Sequence, residues 1–411
     1  MNKNNVTVEK LIFNYLAVTT LLLIGIGLFL NPLQEVYQGL INIVTAPGVL
    51  LTDHFEIGGA GASLVNSGLC LLVALIFLKS SKAHFSGITL AAMFIYLGFT
   101  FFGKSVLNIL PIFLGVKIFS MYINEPMKNY IHLAIFATCL APLVSVNFLG
   151  GIPGVLVGII LGIIYGFIIV PVGQNALKFH RGFTLYNIGF SGGLCALVAA
   201  AIIRSLGYDL TGVNIVSDDY ATLLLVLLVV YSIGTIILGF SLKDFTLKEY
   251  LELLARPGQA VTDFFLFHNP GIVFINVGLM GLLTTLVALI AGVPLNGPIF
   301  GAIITNIGFA AFGKNPRNSL PLIIGASLMF FLTGTEVTTG VVLTLIFATC
   351  LAPIAGQYGI LAGILAGILH YSIVSFTSSW QGALNLYNNG FASGIVAGFL
   401  VNIFDVLKKT E

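Results

Sequence analysis

Charge is what this sequence has least of. Asp, Glu, Lys and Arg make up 8% of its 411 residues, against 58% hydrophobic residues and a mean hydropathy of +1.06. A chain so poor in charge cannot dress a soluble surface of this size, and several of its apolar runs approach or exceed 18 residues. The net charge is only +2, which excludes the basic face that a nucleic-acid partner needs. The four cysteines, Cys70, Cys139, Cys195 and Cys350, stand singly in apolar runs. With no Cys-x-x-Cys pair, neither a zinc site nor a disulfide framework follows, and they read as buried, inert thiols.

The six histidines have no partner at metal-ligand spacing, and no His-Glu-x-x-His or Gly-x-Ser-x-Gly element occurs. Gly98 and Gly103-Lys104-Ser105 mimic a phosphate-binding loop, but they lie in an apolar run and the second copy carries Asn315 in place of the serine. No cofactor and no enzymatic activity are implied, since acid/base groups do not converge. The alternation and turn spacing of a membrane β-barrel are missing too. What remains is an all-α integral membrane protein. Met1–Lys10 is short and polar, and 11–30 reads as a retained first span.

What is present is repetition. The stretch Gly98-Phe99-Thr100-Phe101-Phe102-Gly103-Lys104, with Asn108 and Leu110-Pro111 behind it, returns as Gly308-Phe309-Ala310-Ala311-Phe312-Gly313-Lys314, Asn318 and Leu320-Pro321. The offset is 210, and 10 of 25 positions are identical between 87–111 and 297–321. The same offset relates Pro47-Gly48 and Thr52-Asp53 to Pro257-Gly258 and Thr262-Asp263, and Asn66 to Asn276. It also relates the amphipathic set Tyr37, Leu40, Ile41 and Val44 to Leu247, Tyr250, Leu251 and Leu254, which reads as a short interfacial helix in each half. Phe136-Ala137-Thr138-Cys139-Leu140-Ala141-Pro142 returns unchanged at 347–353. Leu185-Tyr186-Asn187 returns at 386–388, glycines at spacing four recur (154, 158, 162 and 359, 363, 367), and Gln174 is paired with Gln381.

The chain therefore divides into a first membrane repeat at 1–208, a polar linker at 209–219 and a second repeat at 220–411, each of about seven membrane segments. An odd number per half makes the repeats inverted relative to one another. Placing both termini in the cytoplasm puts Lys79, Lys82, Lys128, Lys178, Arg181, Lys243, Lys248, Arg256, Lys314, Arg317, Lys408 and Lys409 on the inner side. Only Lys104 and Arg204 oppose the rule. Localisation in the inner (plasma) membrane follows.

Paired broken or re-entrant segments at equivalent places in two inverted halves mark transport sites. The Thr-Asp pairs, set between Pro-Gly and glycine-rich or Asn269-Pro270-Gly271 stretches, are such places, and also read as helix N-caps. Lysine is costly at bilayer depth, about 2.5–3.5 kcal/mol or more, so Lys104 and Lys314 point to a pathway. Lysines snorkelling to headgroups are the plainer alternative. Expected pathway residues are Thr52, Asp53, Asn66, Lys104 and Asn108 with Thr262, Asp263, Asn276, Lys314 and Asn318. Asp53 and Asp263 are the candidate coupling-ion or proton sites, their charges balanced by the two lysines. The asparagines serve equally as hydrogen-bonding glue between helices. The Tyr-Asn pairs read as helix breaks or interfacial tyrosines.

The repeated Gly-Phe-x-x-Phe-Gly-Lys-x-x-x-Asn-x-Leu-Pro, Phe-Ala-Thr-Cys-Leu-Ala-Pro and Leu-Tyr-Asn-x-Gly-Phe segments together resemble the bacterial membrane family termed domain of unknown function 1576, which implies no activity. His268-Asn269-Pro270-Gly271, Leu295-Asn296-Gly297 and Leu320-Pro321 also resemble, more weakly, the order of motifs in urea transporters. That family is built from inverted halves with broken helices. At the equivalent places the first half has Gly59-Ala60-Gly61 and Ser86-Gly87 instead of Asn-Pro and Asn-Gly, so only the general architecture carries over. The expected function is a transporter for a small polar or charged solute, with a passive channel or a non-catalytic subunit of a complex as alternatives. Expected partners are the bilayer, the solute or ion and, as an open option, a homo-oligomer.

Overall fold

Backbone polar groups in a bilayer have no water to bond, so a long apolar chain satisfies them by forming helices. The computed structural model describes residues 3–146, 150–242 and 245–408, and among these the regular structure is helical. The first half contains α1 (Lys3–Leu30), α2 (Leu33–Thr45), α3 (His54–Ser80), α4 (Gly87–Gly98), α5 (Val106–Tyr122), α6 (Ile131–Ala137), α7 (Pro142–Ser145), α8 (Gly151–His180) and α9 (Asn187–Ser205). The second contains α10 (Ala221–Ser241), α11 (Leu247–Ala255), α12 (Pro270–Ala291), α13 (Gly297–Phe309), α14 (Pro316–Thr333), α15 (Thr339–Phe347), α16 (Ala352–Tyr358), α17 (Ile360–Trp380) and α18 (Asn388–Lys408). Helix for helix, the second set repeats the first.

Among the described residues nine helices are long and apolar enough to cross a membrane. The segments at Gly87–Phe101, Val106–Tyr122, Ile131–Leu140 and Gly297–Phe309 are shorter. Spanning takes about 20 residues at 1.5 Å rise, so these are the partial segments that the glycine and proline breaks foretell. α3 is itself interrupted at Gly59 (φ 74°, ψ 173°), and the second copy begins with a separate 3-10 turn, Phe264–Leu266, before α12. The amphipathic helices form as expected. In α2, Val36, Gly39 and Ile43 face the protein, and Tyr37 (65% exposed) lies on the outward apolar face.

Equivalent helices meet each other head to tail. Tyr15 Oη lies 2.8 Å from Thr235 Oγ1, and Thr19 Oγ1 lies 2.8 Å from Tyr231 Oη, so α1 and α10 run antiparallel. α4 and α13 do the same: Gly87 abuts the Ala311 carbonyl at one end, and Gly98 and Gly301 abut each other's carbonyls at the other. α9 and α18 cross at Gly189 and Gly390. The glycine stripes serve packing within each half, Gly166 against the Ile112 carbonyl and Gly367 against that of Leu322.

The linker is not a free loop. Val213 and Ile215 exchange backbone hydrogen bonds of 2.5–3.0 Å with Leu50, Leu51 and Asp53, binding the linker along the entry to α3. The two exceptions to the charge rule are both bonded within the protein. Arg204 donates to the Ser379 carbonyl at 2.9 Å, and Lys104 is fully buried. Lys243 and Lys409 lie outside the described residues. The pairing of Gln174 with Gln381 is corrected by geometry. Gln381 bonds Asn388 seven residues on (2.9 Å), and the residue that bonds Asn187 in the same way is His180 (2.8 Å).

Candidate functional site

The Gly-Lys elements are turns between two helices, and most of the polar residues around them hold that turn. After α4, one 3-10 turn (Phe99–Phe101) brings the Lys104 N–H onto the Phe99 carbonyl at 3.0 Å. Gly103 then takes φ 107° and Gly313 φ 103°, a left-handed region that a side chain would strain. Asn66 reaches from α3 to donate to the carbonyls of Thr100 and Lys104, both at 3.1 Å. Asn276 repeats this on Ala310 (2.7 Å) and Lys314 (2.9 Å). Asn108 accepts from the Ser105 N–H and donates to the Gly103 carbonyl, both at 2.9 Å, and Asn318 does the same for Asn315 and Gly313. Replacing Asn276 by leucine takes this donor from two buried carbonyls, and replacing Asn66 takes it from that of Lys104 while Thr100 keeps His54, at roughly 1–3 kcal/mol for each carbonyl left unpaired. A clearly lowered thermal midpoint in detergent is the expected result.

Asp53 and Asp263 do not balance the lysines. Among the described residues the ion pairs are His84–Glu9 and Arg181–Asp405. Asp53 accepts from the N–H of Phe55 at 2.9 Å, of Gly297 at 3.0 Å and of Ser217 at 3.3 Å. Asp263 accepts from Phe265 at 3.0 Å and Gly87 at 2.7 Å. Each carboxylate caps its own segment and the first residue of the equivalent helix in the opposite half, α13 or α4. That favours an anion at a helix N-terminus, where N–H groups lack intrahelical partners. Thr52 and Thr262 turn their hydroxyls onto the Val49 (2.6 Å) and Gln259 (2.5 Å) carbonyls. His54 supports the first turn, contacting the Thr100 carbonyl (2.8 Å) and accepting from the Gly103 N–H (3.1 Å).

The lysines reach across the halves. Lys104 Nζ donates to Tyr387 Oη at 2.6 Å and faces the rings of Tyr387 (4.6 Å), Tyr96 (5.1 Å) and Phe99 (5.5 Å). Lys314 Nζ donates to Tyr186 Oη (2.9 Å), Asn306 Oδ1 (2.7 Å) and Thr349 Oγ1 (2.9 Å), and lies over the rings of Tyr186 (4.6 Å) and Phe309 (5.2 Å). The tyrosines are positioned by the verbatim repeat. The Leu386 N–H donates to the Cys139 carbonyl and the Leu185 N–H to the Cys350 carbonyl, both at 2.9 Å. Both tyrosines are buried and stand immediately before α9 and α18, so they mark helix breaks rather than an interfacial belt.

Two chambers approach this centre. The larger, about 550 Å³, is lined by linker residues 212–214 and by polar groups including Thr335, Thr344, Ser375 and Asn388. The smaller, about 200 Å³, is lined by His132, Phe136, Asn187 and Ala260 among others. They are copies of one another. Phe102, Phe347, Leu386 and Asn388 of the first occupy the places of Phe312, Phe136, Leu185 and Asn187 in the second. Between them stand four rings. Phe99 stacks on Phe347 at 5.8 Å and meets Tyr387 at 4.6 Å, and Tyr186 meets Phe347 at 6.0 Å. The two phenylalanines line the large chamber and the two tyrosines the small one.

Of the ten residues expected in the pathway, only Lys104 and Lys314 lie at this septum. The other eight shape the backbone that carries them. Tyr96, Phe99, Asn306, Phe347 and Thr349 belong to the centre and were not singled out by the sequence. A signal existed for Phe347 and Thr349, which fall inside the unchanged seven-residue repeat, and for Asn306, a polar residue amid isoleucines. Among the described residues no group of His, Cys, Asp and Glu could hold a metal.

The profile of a family described as protein of unknown function (DUF1576) matches residues 33–205 and again 242–406. No curated protein and no solved structure matches the chain. The likeness to urea transporters gains no support from these comparisons.

Proposed function

The chain belongs to the DUF1576 family of proteins of unknown function, and we propose that it is a multi-pass membrane transporter moving a small polar or charged solute along the interface of two inverted repeats. The observation that carries this reading is the pair of equivalent chambers meeting at the Phe99–Phe347–Tyr186–Tyr387 septum. Antiparallel pairing of α1 with α10 and of α4 with α13 turns any path through one half into its mirror-directed counterpart in the other. A solute entering one chamber and leaving by the other would pass the rings and the buried lysines. The inner (plasma) membrane with both termini cytoplasmic remains our assignment from the charge pattern. Repeats bounded at 208 and 220 remain our division, although each completes its site with residues of the other.

A passive channel is the second reading, favoured by the presence of both chambers at once. The test is uptake of small polar and charged solutes by proteoliposomes, comparing wild type with Thr344→Trp, which fills the large chamber from its wall. The expected result is gradient-dependent uptake in wild type that is largely lost in the variant, because the indole obstructs the chamber, with the thermal midpoint kept. Absence of flux for every solute overturns the transport reading, and equal flux in the variant overturns the assigned path. Saturation of uptake with solute concentration separates carrier from channel.

A further inference from the structure

The two lysines are equivalent in the chain but not in their surroundings. An ammonium has three N–H donors and no acceptor. Lys314 places all three, on Tyr186, Asn306 and Thr349. Lys104 places one, on Tyr387, and among the described residues no other hydrogen-bond acceptor meets it. One of the two missing acceptors traces to a changed residue; the other, Thr138, is the same residue as Thr349 but turns its hydroxyl to the Ile135 carbonyl (2.7 Å) and does not bond Lys104. Where the second half has Asn306, 210 residues earlier the first half has Tyr96, whose hydroxyl donates to the Cys70 carbonyl (3.0 Å) and which offers Lys104 only its ring.

Lys104 also faces two of the four septum rings, Phe99 and Tyr387, where Lys314 faces one, Tyr186. Of the rings around it, Phe99 lines the large chamber and Tyr387 the small one. Among the described residues no carboxylate pairs with it, and the two acids repeated between the halves, Asp53 and Asp263, bond backbone N–H groups. The N-termini of α9 and α18 follow directly on Tyr186 and Tyr387, adding positive potential of the same sign. A cation is repelled by such a centre. A neutral solute leaves the buried ammonium without an opposite charge, whereas an anion of single charge neutralises it in a medium where that pairing counts most.

Resting on the transport reading for its place in a pathway, but not for its chemistry, we propose that Lys104 is the solute-binding group and that its ligand is a small monoanion, carboxylate or inorganic. The anion takes the two open N–H donors, and Tyr387 and Phe99 give way on opposite sides. Lys314 is the positioning counterpart that ties Tyr186, Asn306 and Thr349 together.

The test is a thermal-midpoint titration of the purified full chain with sodium formate, nitrate and chloride, against urea and glycerol, at constant ionic strength, with uptake of the same solutes measured in proteoliposomes. Wild type and Lys314→Gln, the latter from a lower baseline, are expected to be stabilised by at least one anion, and Lys104→Gln by none. Should Lys104→Gln fail to fold, Tyr387→Phe supplies the measurement. Freeing the third donor is expected to tighten anion binding by about tenfold, the worth of one charge-assisted hydrogen bond. Anion binding without flux upholds the site and removes the transport reading. Flux of a neutral solute without anion binding upholds transport and overturns the site, as does anion binding unchanged in Lys104→Gln or weakened in Tyr387→Phe.

Discussion

Gly98→Val and Gly301→Val are each expected to leave no folded protein, the largest effects anticipated for single substitutions here. A Cβ at Gly98 falls 2.2 Å from the Gly301 carbonyl oxygen and 2.5 Å from Thr305 Oγ1; one at Gly301 falls 2.0 Å from the Gly98 carbonyl oxygen. Real side-chain carbons do not approach backbone oxygens that closely, and backbone cannot rotate aside as a side chain can. Overpacking a core costs about 1–3 kcal/mol when neighbours yield. Here the neighbour is the paired helix itself, so α4 and α13 must separate. That separation pulls Gly87 from Asp263 and Gly297 from Asp53, two of the bonds that join the halves. Size-exclusion profile and thermal midpoint in detergent check the outcome, with Gly234→Val, at a site with nothing within 4 Å, as the control expected to behave like wild type.

Asp53→Ala is expected to cost more stability than any other polar-to-alanine change among the ten residues first singled out. Three backbone N–H groups, of Phe55, Ser217 and Gly297, lose their acceptor together. Each buried donor left unpaired costs about 1–3 kcal/mol. Asp263→Ala removes the acceptor for Phe265 and Gly87 and is expected to follow closely behind. Asp53→Asn is informative in a different way. An amide retains one acceptor oxygen but turns an NH₂ toward donors, so stability falls less than in the alanine variant. Uptake per folded molecule is expected to be unchanged, because the carboxylate holds two helix starts and does not line either chamber. Loss of uptake in a stably folded Asp53→Asn protein would return the aspartate to the pathway.

The aspartates show where sequence reading and structure part. A carboxylate ahead of a helix in an apolar chain looks the same whether it caps the helix or awaits an ion. What decides is the partners, and two of those of Asp53, Ser217 and Gly297, lie 164 and 244 residues away. Lys104 and Tyr387 are separated by 283 residues, and neither motif announces the other. Within each half, by contrast, the signals are local and were legible. Glycine and proline set the helix breaks, the period of apolar residues set α2 and α11, and self-comparison paired every helix with its copy. The exchange of Gln174 for His180 as the counterpart of Gln381 shows the limit of matching by residue type. The equivalent position kept its hydrogen bond to asparagine and changed its chemistry.

The central claim is that the two chambers open to opposite faces of the membrane and meet only at the aromatic septum. Single cysteines at Thr344 in the large chamber and His132 in the small one, in a background with Cys70, Cys139, Cys195 and Cys350 replaced by serine or alanine, test it directly. A membrane-impermeant thiol reagent is added to either side of oriented vesicles and labelling is read by mass shift. The expected result is that T344C labels only from the outer side and H132C only from the inner side. Labelling of both from one side would contradict the inverted, two-chambered pathway.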